Sequence, residues 1–207
     1  MIYGLTARSV WKSFSPNYQY ELAKILHLTT ADDIVARSLP KYKEIVAKIE
    51  EIKEGGFYLN EILVAAVMAS IYLTLDEKPP IDKMIEINKK VALKNKTMQR
   101  LAISEKKYTP DGQKKIAKEA ENSMKKTNPY DWKYTYEAGE TCHKYAIYYH
   151  QCGVVHLYKQ LGIEELIPAM CILDEQRAYM NNTLFTREST IAEGAEVCDC
   201  HFNHDSR

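Results

Sequence analysis

The sequence predicts an α+β protein in which a helical N-terminal part packs with a C-terminal antiparallel sheet of about four strands and two helices. Residues 1–129 have apolar residues at helical spacing, interrupted by helix breakers, whereas residues 130–207 contain two stretches of alternating polar and apolar residues around turns. We expect these two regions to form one integrated domain.

Composition is typical of a globular protein and gives no indication of a nucleic-acid or membrane partner. Lys+Arg and Asp+Glu both number 28, so no net field points to nucleic acid or to an anionic membrane. The longest uncharged run, Ile62 to Leu75, has 14 residues, whereas a membrane span needs roughly 20. With no continuous apolar stretch at the N-terminus and five cysteines, we expect a cytoplasmic protein with reduced thiols, which could form a homo-oligomer.

Breakers and caps divide residues 1–129 into six predicted helices. Residues 1–16 show no clear period and are expected to end at Pro16, and Pro40 is expected to open a helix, because proline is tolerated in the first turn of a helix but not in its interior. Thr30, Asn60 and Thr109 are candidate N-caps. The predicted helices cover 17–27, 30–38, 40 to the stop at Gly55-Gly56, 60–77, 81–103 and 109–128.

The C-terminal region reads as hairpin, two helices and hairpin. Strands are predicted near 132–137, 144–150, 183–192 and 197–203, all antiparallel. Helices are predicted at 153–161, with Gly162 as the stop, and at 165–180, where Pro168 causes either a kink or a delayed start.

Cys152 stands where a predicted strand gives way to a helix. Unpaired N–H groups and the helix dipole stabilise an anion at that position, so we expect a lowered thiol pKa and a nucleophile that is alkylated before Cys142. The alternative is a small side chain that only packs at the junction.

Cys171 and Asp174 lie three residues apart on one predicted helical face. A carboxylate in this place can orient a thiol or move protons. The alternative is a surface aspartate beside a core cysteine.

In the last predicted strand Cys198 and Cys200 share one face, and Asp199 and His201 share the other. The spacing argues against a zinc site, since structural zinc sites use closely paired ligands on one side. Arg187, on the preceding strand, could bind a substrate carboxylate as a fork or form an ion pair with Glu188 or Asp199.

Four separated motifs of the chain resemble the L-2-amino-thiazoline-4-carboxylic acid hydrolase family, over roughly residues 60–202. They are Cys152 with Gly162, the Cys-x-x-Asp of Cys171 and Asp174, the stretch TRESTIAEG at 186–194, and Cys198-Asp199. The chain departs from the family pattern at Cys200 and His201, where an aromatic residue and an arginine are expected.

The resemblance implies a hydrolase that opens a thiazoline or similar cyclic amidine to an N-carbamoyl amino acid, with no metal or organic cofactor. The residues that it implies are Cys152, Asp174, Cys171 and Cys198 for catalysis and Arg187, Thr190, Asp199 and His201 for substrate binding. Cys152 is the expected nucleophile and Asp174 the expected acid, unless Asp174 activates water directly. The rival hypothesis is a non-catalytic domain of the same fold that binds a small ligand or senses oxidants through its thiols.

The sequence also makes a prediction about metals. Protein purified without added metal is expected to contain well under one equivalent, because the Cys198, Cys200, His201 and His204 side chains are split between two strand faces. Elemental analysis by mass spectrometry is the measurement, and a stoichiometric metal on the last strand would contradict it.

Overall fold

The computed structural model describes residues 4–50, 52, 57–102 and 105–204. The helices are α1 (Leu5–Ile25), α2 (Ala31–Lys48), α3 (Phe57–Thr74), α4 (Ile81–Lys94), α5 (Lys96–Ala102), α6 (Pro110–Ser123), α7 (Gly153–Leu161) and α8 (Ile167–Met180). The strands are β1 (Lys133–Ala138), β2 (Lys144–Gln151), β3 (Leu184–Thr186) and β4 (Cys198–Asn203). This arrangement confirms the predicted α+β class.

Helix α3 lies at the centre of the core. Every residue from Ile62 to Tyr72 is buried, so this helix is apolar all round rather than amphipathic. Helices α1 and α2 pack against it on one side, and α7 reaches it through Tyr158, whose hydroxyl donates to the carbonyl of Ala65 at 3.0 Å. By length and composition alone α3 could cross a bilayer, but most of it is buried inside the fold.

Both predicted breaks at proline are wrong. Helix α1 passes through Pro16, and α2 passes through Pro40 without a side-chain cap from Thr30. Apolar contacts outweigh the lost hydrogen bonds, because Trp11 packs on Tyr42 with ring centroids 5.1 Å apart and buries the facing sides of both helices. The helical period of α1 runs unbroken through the proline.

Two other helix boundaries differ from the prediction. Helix α3 begins at Phe57, so Asn60 lies inside it, and the predicted stop at Gly55-Gly56 falls outside the described residues. The predicted helix 81–103 is broken at Asn95, whose side chain donates to Ser13 and Asn17 and accepts from the N–H of Met98. The predicted cap at Thr109 is confirmed, since its hydroxyl accepts from the N–H of Gly112.

The four strands form one antiparallel sheet in the order β1-β2-β4-β3. Its register places Tyr149 opposite Cys198 and Ile147 opposite Cys200. Both cysteines are buried, so the predicted shared face of Cys198 and Cys200 is confirmed, and it is the core face of the sheet. The thiols of Cys198 and Cys200 therefore lie on the core side of the sheet.

Strand β3 is much shorter than the predicted 183–192. Its ladder ends after Thr186 because the N–H groups of Glu188 and Ser189 donate to the carboxylate of Asp199, at 3.1 and 2.6 Å. The following segment is a 3-10 turn at Ile191–Glu193. Side-chain acceptors have replaced the sheet partners here.

Helix α7 has the predicted bounds, and Gly162 ends it in the left-handed conformation with φ +65°. The second predicted helix starts as a 3-10 turn at Glu164–Leu166, and α8 follows with Pro168 in its first turn. Of the two alternatives for Pro168, the delayed start is therefore correct.

Two glycines around α7 are predicted to differ in their tolerance of a methyl group. A Cβ on Gly153 would lie 2.1 Å from the carbonyl oxygen of Tyr130, whereas a Cβ on Gly162 would meet nothing within 4 Å. Gly162→Ala should lower the free energy of unfolding by about 1–2 kcal/mol through backbone strain alone. Gly153→Ala should cost more, because backbone must move. Urea unfolding of both variants measures this order, and equal losses would contradict it.

Candidate active site

A partly enclosed cavity of about 60 Å³ lies where α3, α7 and α8 meet the core face of the sheet. We call it the thiol pocket, because Cys152, Cys171, Cys198 and Cys200 all line it. A more open concavity of about 450 Å³ lies between α4, α8 and β3, but Lys89 and Glu175 are the charged side chains that line it. The thiol pocket is therefore the better candidate on chemical grounds, although it is smaller.

Cys152 is the N-cap residue of α7, as its position between strand and helix predicted. The N–H groups of Val154 and Val155 face its sulfur without reaching full hydrogen-bond geometry, and they lower its pKa. Burial acts in the opposite direction and prevails, so the pKa of the Cys152 thiol is raised to about 12. The predicted lowering of this pKa is wrong for the substrate-free pocket.

The other three thiols are also neutral in this environment. Burial raises the pKa of Cys171, Cys198 and Cys200, and the Arg187 guanidinium opposes this increase in each case. Cys198 additionally accepts from the N–H of Ile191 at 3.2 Å.

Two arginines and two acids form a connected ion network along the pocket. Arg187 donates to Asp174 at 3.0 Å and to the carbonyl of Cys171 at 3.3 Å. Arg177 lies 3.5 Å from the other carboxylate oxygen of Asp174 and also pairs with Glu61. Asp174 is the most accessible member, with 41% of its side chain exposed against 10% for Arg187. Cys171 and Asp174 thus share one helical face and one pocket.

Arg187 differs in its partner from the ion pair that the sequence suggested as the alternative to substrate binding. It pairs with Asp174 rather than with Glu188 or Asp199, and both ends of its fork are occupied. Arg177 retains a buried Nε–H that has no hydrogen-bond partner among the described residues. In the substrate-free pocket, the Nε–H of Arg177 is therefore a donor that a ligand could use.

Three predicted substrate-binding residues do not line the thiol pocket. Asp199 accepts from the backbone and hydroxyl of Ser189 and so holds the segment after β3. Thr190 caps the 3-10 turn by accepting from the N–H of Glu193. His201 is exposed on the outer face of β4, against the ring of Tyr148.

Sequence reasoning missed the residues that α3 and the sheet contribute. Glu61 and Tyr58 come from the first turns of α3, and Trp132 stacks on Tyr58 with ring centroids 4.7 Å apart. Glu61 could have been found, because it is the acid that immediately precedes the uncharged run of the buried helix. No comparable signal marked Tyr58 or Trp132.

In the described part of the chain, no three His, Cys, Asp or Glu side chains are arranged to hold a metal ion. His204, a member of the zinc alternative, instead stacks on Tyr108 and pairs with Thr183. The prediction about metal content stays a prediction.

The comparisons with known proteins agree with the motifs. The sequence model of the L-2-amino-thiazoline-4-carboxylic acid hydrolase family matches residues 60–202, a span that contains every residue of the thiol pocket named above except Tyr58. Searches of the curated proteins and of the solved structures gave no significant match. The family match covers more than half of the chain, and the protein therefore belongs to the L-2-amino-thiazoline-4-carboxylic acid hydrolase family.

Proposed function

We propose that this protein is a hydrolase that opens the ring of a 2-amino-thiazoline-4-carboxylate-like cyclic amidine to an N-carbamoyl amino acid. The observation that carries the proposal is the convergence of the α7 N-cap thiol of Cys152 with the Asp174–Arg187 ion pair in one small pocket. The family name supports the hydrolase class, and the pocket chemistry supports the cysteine mechanism.

In the proposed reaction the sulfur of Cys152 attacks the ring carbon that is bonded to two nitrogens and the ring sulfur. Asp174, the most accessible carboxyl group of the ion network, takes the thiol proton as the new bond forms. The bond from carbon to ring sulfur then breaks, and an S-linked isothiourea remains on Cys152. Water attacks this carbon and releases Cys152 and the N-carbamoyl product, so one water is consumed per turnover.

The N-terminus of α7 supplies the electrostatic part of the mechanism. The N–H groups of Val154 and Val155 face the attacking sulfur, so they stabilise its thiolate at the moment the proton leaves. A helix N-terminus is also a favourable place for the charge that develops on the adduct. This assigns Cys152 the nucleophilic role and leaves Cys171 and Cys198 as neighbours that shape the pocket.

The charges of the pocket suit an anionic substrate. Arg177 and Arg187 are both largely buried, and they face two carboxyl groups. When one of those carboxyl groups is protonated, the four side chains carry a net positive charge that matches one substrate carboxylate. The unpartnered Nε–H of Arg177 is the donor that we assign to this carboxylate, with Arg187 beside it.

The size of the pocket sets a limit on the substrate. Drug-sized ligands occupy sites of roughly 300–1,000 Å³, and the thiol pocket measures about 60 Å³. A five-membered ring with one carboxylate requires less expansion of this pocket than a drug-sized ligand, and the stacked rings of Tyr58 and Trp132 provide a flat wall for it.

Replacement of the nucleophile is the direct test of this mechanism. Cys152→Ser should reduce hydrolysis of 2-amino-thiazoline-4-carboxylate to below detection, since serine is a far weaker nucleophile at neutral pH. Chromatographic detection of the N-carbamoyl product measures turnover, and the melting temperature of the variant should stay within a few degrees of the wild type. Cys142→Ser, in the turn between β1 and β2 and outside the thiol pocket, is the matched control that should retain full turnover.

Full turnover by Cys152→Ser would exclude covalent catalysis and favour water activated by Asp174. A wild type that hydrolyses no thiazoline, oxazoline or cyclic amidine, yet binds one of them, would favour the non-catalytic ligand-binding domain instead.

The buried thiols also predict an order of alkylation that reverses the sequence expectation. With a pKa of about 12, only about one Cys152 in 10⁵ is a thiolate at pH 7. Iodoacetamide should therefore modify Cys142 before Cys152 in the substrate-free protein. Because the pKa of Cys152 is raised, its alkylation rate should increase about tenfold for each pH unit between 7 and 9. Peptide mass spectrometry over a time course measures both sites, and preferential labelling of Cys152 at pH 7 would contradict the raised pKa.

A further inference from the structure

Glu61 lies between two cavities. It lines the thiol pocket on one side, and on the other it lines a cavity of about 100 Å³ between α1, α3 and α5. We call the latter the hydroxyl-lined cavity, because Ser9, Ser13 and Thr97 are among its walls. Its volume holds several waters, since one water needs roughly 10–15 Å³.

The hydroxyl-lined cavity connects Glu61 to solvent. Ser9 and Thr97 are exposed residues, and the hydroxyl of Ser13 lies 3.0 Å from that of Thr97. Hydroxyl groups and waters both donate and accept protons, so they can carry a proton between bulk water and a buried carboxyl group. Through this cavity the carboxyl group of Glu61 can exchange its proton with bulk water while the thiol pocket is occupied.

The two carboxyl groups of the thiol pocket have opposite environments. Asp174 faces two guanidinium groups and is 41% exposed, whereas Glu61 is 13% exposed and pairs with Arg177. Burial raises the pKa of Glu61, and this effect exceeds the lowering by Arg177, while the charge of Asp174 adds to the increase. Two carboxyl groups whose surroundings differ in this way commonly divide the roles of base and acid.

We propose that Glu61 is the catalytic residue that donates the proton to the departing ring atom. This inference rests on the proposed ring-opening function and deepens it. In the first half-reaction the bond between the ring carbon and the ring sulfur breaks, its electron pair goes to sulfur, and sulfur takes the proton of Glu61. Asp174 meanwhile holds the proton of Cys152, and Arg177 stabilises the new carboxylate of Glu61.

The second half-reaction restores both groups. Glu61, now a carboxylate, takes a proton from the attacking water, and the resulting oxygen bonds to the carbon held by Cys152. The bond between this carbon and Cys152 breaks, and the leaving sulfur recovers the proton from Asp174. The group released from Cys152 is an isourea, and its urea tautomer is the N-carbamoyl product. Atoms and charges therefore balance with one water consumed.

The role of Glu61 can be tested by changing the leaving atom, because a poorer leaving atom depends more strongly on general-acid catalysis. Glu61→Gln cannot donate an acidic proton, but it keeps the size of the side chain. A thiolate leaves readily without protonation, since a thiol has a pKa of about 8.5, whereas an alkoxide needs the proton. Turnover of the analogue with oxygen in place of the ring sulfur should therefore fall by about 10²–10⁴-fold, and turnover of the thiazoline by a clearly smaller factor. Glu175→Gln, an exposed residue outside the thiol pocket, is the matched control and should change neither.

The pH profile is the second readout. Because the acid form of Glu61 is the active one, wild-type kcat for the oxygen analogue should decrease as pH rises through the raised pKa of Glu61, and Glu61→Asp should retain part of the activity. Equal losses with both substrates, or a change confined to KM, would make Glu61 only a structural partner of Arg177 and overturn the proposal. If Glu61→Gln does not fold, the wild type still tests the proposal: a kcat for the oxygen analogue that does not decrease as pH rises would overturn it.

The two hypotheses fail in different ways. Hydrolysis by the wild type with no leaving-atom effect in Glu61→Gln would reject the role of Glu61 and leave the proposed function in place. A wild type that hydrolyses neither ring would reject the proposed function and, with it, the role of Glu61.

Discussion

The fold depends on the need to cover α3 from every side. A helix that is apolar around its whole circumference cannot face water, and each fully buried Leu or Ile contributes roughly 1.5–3 kcal/mol. Helices α1, α2 and α7 provide the cover, and the sheet packs against α6 and α8. This constraint also builds the site, because the first turns of α3 project Tyr58 and Glu61 past the core into the thiol pocket.

Charge compensation is the second constraint on the site. Burying Arg177 and Arg187 costs several kcal/mol per unpaired ion, and the carboxyl groups of Asp174 and Glu61 that face them offset this cost. The same pairing gives the two carboxyl groups different surroundings, since Asp174 faces both arginines and Glu61 faces Arg177 alone. A structural requirement thereby produces the asymmetry that acid–base chemistry needs.

The thiol of Cys152 illustrates how magnitudes decide between opposing effects. A helix N-terminus stabilises an anion by about 0.3–1 kcal/mol, and up to about 2 in partly buried geometry. Burial that raises the pKa to about 12 opposes ionisation by about 4 kcal/mol, so it outweighs the helix N-terminus in the substrate-free protein. In the proposed mechanism the proton is therefore removed by Asp174 as the new bond forms, and no resting thiolate is needed.

The sequence by itself determined the elements whose signals are local. Alternation gave the four antiparallel strands, Gly162 marked the end of α7, and the spacing of Cys171 and Asp174 placed both on one helical face. Tertiary packing decided the rest. Helix α1 continues through Pro16, because apolar contacts outweigh one lost hydrogen bond. Strand β3 is short, because the N–H groups of Glu188 and Ser189 donate to the carboxylate of Asp199 instead of to a neighbouring strand. Tertiary packing also set the pKa of Cys152, and it brought Glu61 into the same pocket as Cys152, which follows 91 residues later in the chain. Burial and long-range contacts leave no mark on local sequence.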